Sequence, residues 1–150
     1  MSNIKKQLHS KCYKIASQKV NELSSIIQEA QDAANNETKS SAGDKHETGR
    51  AMAQLETEKL TKQLSEALKL EQTLSQINPE TEHQQVGLGS LVTTNNGIFY
   101  ITASLGKIEL ENKLYFVISA VSPIGQLLIG LKKNDSFSFN GKGYLINNIC

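Results

Sequence analysis

Hydrophobic residues recur at mostly helical spacing through two long segments in the first half of the chain, residues 4–34 and 51–77. In the first segment they are Ile4, Leu8, Cys12, Ile15, Leu23, Ile26, Ala30 and Ala33. In the second they are Met52, Leu55, Leu60, Leu64, Ala67, Leu68, Leu74 and Ile77. Steps of three or four residues place one apolar stripe on an α-helix. The pattern predicts two helices that pack antiparallel as a coiled-coil hairpin, each arm about 40 Å long.

The polar stretch over residues 39–50 separates the two stripes and predicts the turn of this hairpin. It contains Gly43, the first glycine of the chain. Asn78–Pro79 ends the second helix, because the residue before a proline avoids the α conformation. We therefore predict an N-terminal helical hairpin over residues 1–78 with its tip at 39–50, followed by a polar linker over residues 79–86.

After residue 86 the hydrophobic pattern changes to the short apolar and β-branched runs that are typical of strands. These runs predict strands over residues 88–94, 98–103, 113–120, 137–139 and 144–149. Asn95–Gly97 and Asn140–Gly143 predict hairpin turns between neighbouring strands. Ser122 and Pro123 predict the start of a short helix, with Ser122 as N-cap and Pro123 as its first residue. The chain is thus predicted to be α+β, and residues 87–150 form a small antiparallel sheet domain with one helix.

The composition argues against several classes of protein, among them autonomous nucleic-acid binders and membrane-spanning proteins. The net charge of +1 from 16 basic and 15 acidic residues lacks the basic excess of an autonomous nucleic-acid binder. Cys12 and Cys150 have neither metal-ligand nor disulfide-framework spacing, so both are predicted to be free thiols. His9 and His83 belong to no recognisable site pattern. The apolar runs are too short to span a bilayer and the first residues lack a signal-peptide core, so we expect a soluble, cytoplasmic protein.

Two acidic residues within the tip, Asp44 and Glu47, are the candidate functional pair. Their spacing is that of a capping box, in which each side chain bonds to a backbone amide at a helix start. Carboxylates are also the ligands that Mg²⁺ prefers. The two interpretations are compatible, because a capped helix start would hold the carboxylates in place.

Several motifs together resemble the bacterial Gre transcript-cleavage factors. Residues 86–92 (VGLGSLV) are similar to the strand that opens the C-terminal domain of that family. Residues 122–132 (SPIGQLLIGLK), followed by Asp135, are similar to its Ser-Pro-helix motif, and residues 143–146 (GYLI) fit its last strand. At the tip, the sequence Gly43–Glu47 keeps the glycine and both acidic residues of the family pattern. The resemblance implies an FKBP-like C-terminal domain, without implying prolyl isomerase activity.

The resemblance also implies roles for the tip. The protein would not be an enzyme on its own, but would bring carboxylates to the active site of RNA polymerase through its secondary channel. Asp44 would ligate the weakly held second Mg²⁺ there, and Glu47 would share that metal site and orient or deprotonate the attacking water. The Mg²⁺ would not be held stably by the isolated protein.

Two further groups of residues complete the predicted site. Lys39, Lys45 and Arg50 flank the acidic pair and are candidates for contact with the 3′ end of the nascent RNA, although they also fit a solvated turn. By the resemblance, Ser122, Pro123 and Ile124 would dock on the coiled coil at the rim of the polymerase channel. We expect a monomer with no membrane partner.

Two alternatives to a cleavage-stimulating factor remain. One is a regulator of the same shape that enters the channel without promoting cleavage. Retention of Asp44 and Glu47 argues against it, whereas the departures from the family pattern at Lys45, Thr48 and Gly49 leave it open. A coiled-coil interaction module unrelated to polymerase would be explained by the capping box alone, but it leaves the Ser-Pro-helix motif without a role.

Overall fold

The computed structural model describes residues 2–39 and 45–150, and the side chains of all of these except residues 2, 34, 36–39, 45–48 and 50. The elements in chain order are α1 (Ser2–Lys39), α2 (Lys45–Ser75), β1 (Leu91–Thr94), β2 (Gly97–Ile101), β3 (Gly106–Leu110), β4 (Lys113–Ile118), α3 (Pro123–Leu128), β5 (Ser136–Phe139) and β6 (Lys142–Ile149). The predicted α+β class is confirmed, because a pair of long helices precedes a six-stranded sheet and one short helix.

Both long helices extend farther toward each other than the apolar pattern predicts. α1 continues to Lys39, and α2 already begins at Lys45. The pattern missed these turns because they carry polar side chains and no apolar stripe. Gly49 does not interrupt α2, since a glycine inside a helix costs only about 1 kcal/mol relative to alanine.

The buried positions of the long helices differ in part from the predicted stripes. Leu8, Cys12 and Leu23 are buried as predicted, but Ala16 is buried in place of Ile15, and Ile26 is exposed. In α2, the buried and half-buried positions include Thr57, Leu60, Leu64, Ala67, Glu71 and Leu74. Their alternating spacing of three and four residues is that of a coiled-coil seam. Met52, Leu55 and Leu68 are exposed, so the prediction that they belong to the seam is wrong.

The start of α1 lies beside the end of α2. The Lys5 ammonium donates a hydrogen bond to the Thr81 carbonyl, and Lys6 forms an ion pair with Glu80. Thr81 and Glu80 follow the end of α2, so the two helices meet at this end. By packing, the chain divides into one compact unit formed by Met1–Tyr13 and Gln72–Cys150 and a second formed by Lys14–Glu71. The predicted domain limits, residues 1–78 and 87–150, stay predictions.

The sheet has the strand order β3-β4-β2-β1-β6-β5. Four neighbouring pairs are antiparallel, but β2 and β4 run parallel, so the prediction of an antiparallel sheet is wrong for that pair. The reason is β3, which the sequence analysis missed. β3 forms an edge hairpin with β4 through Glu111 and Asn112, whose φ values of 51° and 64° suit a tight two-residue turn. After the β3–β4 turn, β4 therefore lies next to β2 and runs parallel to it.

The two faces of the sheet are buried by different elements. One face carries the main apolar cluster, formed by Val86, Val92, Phe99, Ile101, Leu128, Tyr144 and Ile146. Leu128 comes from α3, so we name this the α3 face. Because side chains alternate along a strand, Tyr100 lies on the opposite face together with its cross-strand partners Leu91 and Val117. We name this second face the α1 face, since α1 contacts it.

Candidate functional sites

The predicted catalytic pair, Asp44 and Glu47, belongs to the part of the sequence where α1 ends and α2 begins. Asp44 lies outside the described residues. Glu47 lies in the first turn of α2, and its side chain is not among those described. The positions of the two carboxylates and the capping-box interpretation therefore stay predictions.

The three predicted RNA-contact residues occupy the helix ends around this acidic pair. Lys39 is the last residue of α1, Lys45 is the first of α2, and Arg50 follows within α2. The six peptide units between Lys39 and Lys45 span at most roughly 20 Å. Whether the three basic side chains lie near the acidic pair stays a prediction.

The predicted docking segment is a tightly hydrogen-bonded loop at the start of α3. The Ser122 hydroxyl accepts a hydrogen bond from the Gly125 amide at 3.1 Å and donates one to the Ser119 carbonyl at 2.6 Å. Ser122 is the N-cap and Pro123 lies at the helix start, as predicted. On the other side, the Gln126 amide group donates to the Val121 carbonyl at 3.0 Å. These bonds fix the backbone that presents Val121 and Pro123.

Close packing further constrains this loop. A Cβ atom built on Gly125 would lie 2.2 Å from the Ser119 carbonyl oxygen, a distance that no side chain tolerates without movement. Glycine is therefore required where α3 crosses the preceding loop. The sequence motif alone gives no reason for this glycine.

Exposure separates the predicted docking residues into two groups. The Ser122 hydroxyl is engaged in the helix-capping hydrogen bonds, and Ile124 is partly buried against the apolar cluster of the α3 face. Pro123 is exposed, as are Leu127, four residues later in α3, and Val121, which is 76% exposed. We name Val121, Pro123 and Leu127 the α3 apolar surface. It exposes more apolar surface than the predicted set, and Leu127 was missed because its exposure depends on the tertiary packing of α3.

The sequence analysis also missed a buried polar cluster on the α1 face. His9 was predicted to belong to no site, yet its Nδ1 lies 2.7 Å from the Tyr100 hydroxyl. Lys5, one helical turn earlier, is 1% exposed. No local motif marks these residues, because the contact joins positions 91 residues apart.

The remaining sequence expectations concern thiols, metals and membranes. Cys12 and Cys150 are free, as predicted, and burial raises the pKa of the Cys12 thiol to about 12. Within residues 2–39 and 45–150, no group of three or more His, Cys, Asp or Glu side chains is arranged to hold a metal ion. Across the same residues, no helix combines the length and apolar character needed to cross a membrane.

Comparison with known proteins gives little further information. No family model matches the chain, and no curated protein matches it. Among solved structures, the chain is similar to the transcription factor Gfh1 at 20% sequence identity, over 92% of each chain, with a TM-score of 0.36.

Proposed function

We propose that this protein is a Gre-like transcription elongation factor. It binds RNA polymerase, inserts the tip of its helical hairpin into the secondary channel, and stimulates Mg²⁺-dependent cleavage of backtracked nascent RNA. It acts as a cytoplasmic monomer and is not an enzyme on its own. The observation that carries the proposal is the pair of long helices, whose connecting sequence contains Asp44 and whose second member, α2, carries Glu47 in its first turn.

The lengths of the two helices support this proposal. At about 1.5 Å per residue, the 38 residues of α1 and the 31 residues of α2 correspond to roughly 57 Å and 46 Å. A long, narrow helix pair is suited to carry a small acidic segment into a channel that a globular domain cannot enter. The donor chemistry also fits, because carboxylate oxygens bind Mg²⁺.

The chemical role of the chain is limited to what two carboxylates can do. Mg²⁺ in the polymerase active site would polarise the phosphate and activate water. Asp44 would hold the second ion in place, and Glu47 would orient the attacking water or accept its proton. Lys39, Lys45 and Arg50 would contact the phosphates of the extruded RNA. The α3 apolar surface would bind the rim of the channel and hold the protein on the polymerase.

The decisive experiment measures cleavage of labelled RNA in stalled, backtracked elongation complexes. Wild type is compared with Asp44→Asn and Glu47→Gln, and Glu58→Gln serves as the matched control because Glu58 is an exposed acidic residue of the same helix. We expect wild type and the control to release short 3′ fragments. We expect the two tip variants to bind polymerase equally well but to lose this stimulation by about tenfold or more.

A second function is left open by the departures from the family pattern at Lys45, Thr48 and Gly49. If wild type binds polymerase but adds nothing to its intrinsic cleavage rate, the protein is a channel-entering regulator without cleavage activity. If it does not bind polymerase at all, both functions are excluded, and a coiled-coil interaction module unrelated to polymerase remains.

Docking is tested separately by a polymerase pull-down. Val121→Asp places a charge on the α3 apolar surface, and it should weaken binding at least tenfold because charged groups lose hydration in an apolar interface. Leu145→Asp is the matched control, since Leu145 is also exposed but lies on β6. Equal binding by both variants would exclude the α3 apolar surface as the docking site.

A further inference from the structure

Polar contacts hold the first turns of α1 to the α1 face of the sheet and to the segment that follows α2. The Lys5 ammonium donates a hydrogen bond to the Thr81 carbonyl at 2.7 Å, and the Lys11 ammonium donates one to the Glu109 carbonyl. Between them, His9 contacts the Tyr100 hydroxyl. We name these three pairs the α1–sheet joint. It lies entirely within one compact unit, formed by Met1–Tyr13 and Gln72–Cys150.

His9 and Tyr100 form a buried pair that suits a neutral imidazole ring. A neutral imidazole has one donor and one acceptor nitrogen, and His9 is only 9% exposed. In the tautomer whose Nδ1 carries no proton, the Tyr100 hydroxyl donates to Nδ1 across the 2.7 Å contact. This tautomer gives the buried Tyr100 proton a partner.

Protonation of His9 would disrupt this arrangement. Nδ1 would become a second donor and would face a hydroxyl that already points its proton at the ring. Tyr100 is completely buried, so turning its proton away would leave a buried donor without a partner, which is costly. The positive charge would also be placed near the buried ammonium of Lys5.

The other ionisable groups around the joint do not offset that charge. Burial, followed by the charge of Lys5, lowers the pKa of His9, and the hydrogen bond with Leu74 opposes the change only in part. Cys12 on α1 and Tyr100 on β2 are both buried, and burial raises the pKa of both. The other groups near the joint are Lys11 on α1, Glu82 and His83 after α2, and Cys150 after β6. Glu82 and Cys150 act on Lys5.

We propose that the α1–sheet joint is a proton-sensitive latch, in which neutral His9 holds the first turns of α1 on the sheet and protonated His9 releases them. This inference does not rest on the proposed function. Its direction follows from linkage. An open joint returns His9 toward its ordinary pKa of 6.5, so the open form binds protons more readily than the closed form. The latch is at full strength above pH 6.5 and weakens as the pH falls below that value.

Cys12 provides a reporter of the latch, because it lies three residues after His9 and is completely buried. In a Cys150→Ser background it is the only thiol of the chain. We would measure its rate of reaction with 4,4′-dithiodipyridine from about pH 8 to about pH 5, relative to the rate in urea-unfolded protein. Circular dichroism at each pH shows whether the sheet remains folded.

Two histidine variants test the assignment. His9→Gln keeps a donor and an acceptor but cannot titrate, whereas His83→Gln removes a half-buried histidine whose pKa is also lowered by the charge of Lys5. We expect the relative rate of Cys12 modification in the background protein to rise about tenfold for each pKa unit by which the closed joint lowers the pKa of His9. His83→Gln should show the same rise, and His9→Gln should show none.

Three outcomes would overturn the latch. They are a flat rate in the background protein, a rise that persists in His9→Gln, and a rise that coincides with loss of the circular dichroism of the sheet. If His9→Gln does not fold, an NMR titration of the His9 ring in the wild-type chain decides instead. A pKa below 6.5 supports the latch, and a pKa at or above 6.5 excludes it.

Discussion

The two faces of the six-stranded sheet are both buried, but by different kinds of side chain. The α3 face is closed by aliphatic and aromatic residues, among them Leu128 and the stacked rings of Phe137 and Tyr144, 4.8 Å apart. The α1 face combines apolar residues with Lys5, His9 and Tyr100. One face of the sheet is thus closed by apolar packing, whereas the other buries ionisable side chains.

The largest expected effect is on the α3 face. Leu128→Ala removes a completely buried side chain from the apolar cluster, and it should lower the free energy of unfolding by about 2–5 kcal/mol. Hydrogen exchange of the Ile101 amide, which bonds to the Ser90 carbonyl, would measure this loss within the sheet. The loss should be the same at pH 8 and pH 6. Leu145→Ala, at an exposed position, should change the free energy by less than about 0.5 kcal/mol.

The next largest effect on stability is expected where Gly125 of α3 packs against the loop that precedes the helix. Gly125→Ala forces a Cβ atom against the Ser119 carbonyl and should cost about 1–3 kcal/mol. Thermal unfolding would measure it. Gly143→Ala is the matched control, because nothing lies within 4 Å of the added atom there. Equal stability of the two variants would mean that the loop is not held as tightly as its hydrogen bonds indicate.

A smaller and pH-dependent effect is expected on the α1 face. Tyr100→Phe removes the donor to His9 and should cost about 1 kcal/mol above pH 6.5, where His9 is neutral. The difference in free energy of unfolding between wild type and Tyr100→Phe should become smaller as the pH falls, because protonated His9 no longer accepts the Tyr100 hydrogen bond. Urea unfolding of wild type and variant at both pH values tests this. A constant difference would show that the Tyr100 hydroxyl does not bond preferentially to neutral His9.

The smallest effect is expected at Lys5. Lys5→Met replaces a buried ammonium with an apolar side chain of similar length, so stability at neutral pH should fall by no more than about 1 kcal/mol or should rise. Because burial lowers the pKa of Lys5 below 10.5, the native state loses this proton before the unfolded state does. Wild type should therefore gain stability as the pH rises toward 10.5, and Lys5→Met should lack this gain. A large loss at neutral pH would contradict the prediction.

The sequence predicted those features that depend on local pattern. Helical periodicity predicted α1 and α2, and Ser122 with Pro123 predicted the start of α3. It did not predict β3, because five residues with only two large apolar side chains, Ile108 and Leu110, give a weak signal. Nor did it predict the parallel pairing of β2 and β4, which follows from the path of the chain around β3.

The candidate sites also divide into features that local sequence predicts and features that depend on the complete fold. Pro123 is exposed as expected, but Ile124 faces the core, because a short helix must turn one side to the sheet that it covers. His9 and Tyr100 meet only through the complete fold, and neither position carries a local motif. Asp44 and Glu47 were identified from their spacing and from the family resemblance. The role of their carboxylates stays a prediction, which the cleavage experiment tests.

The position of β6 in the sheet has a consequence for biosynthesis. β6 lies between β1 and β5, although it is the last strand to be made. While the ribosome is still adding residues 142–149, β1 has a neighbour on one side only, and β5 has none. Such long-range pairing is slow to form, and an unpaired strand edge is prone to associate with other chains. The nascent chain therefore passes through a stage at which it is exposed to aggregation, and this stage ends only when β6 has left the ribosome.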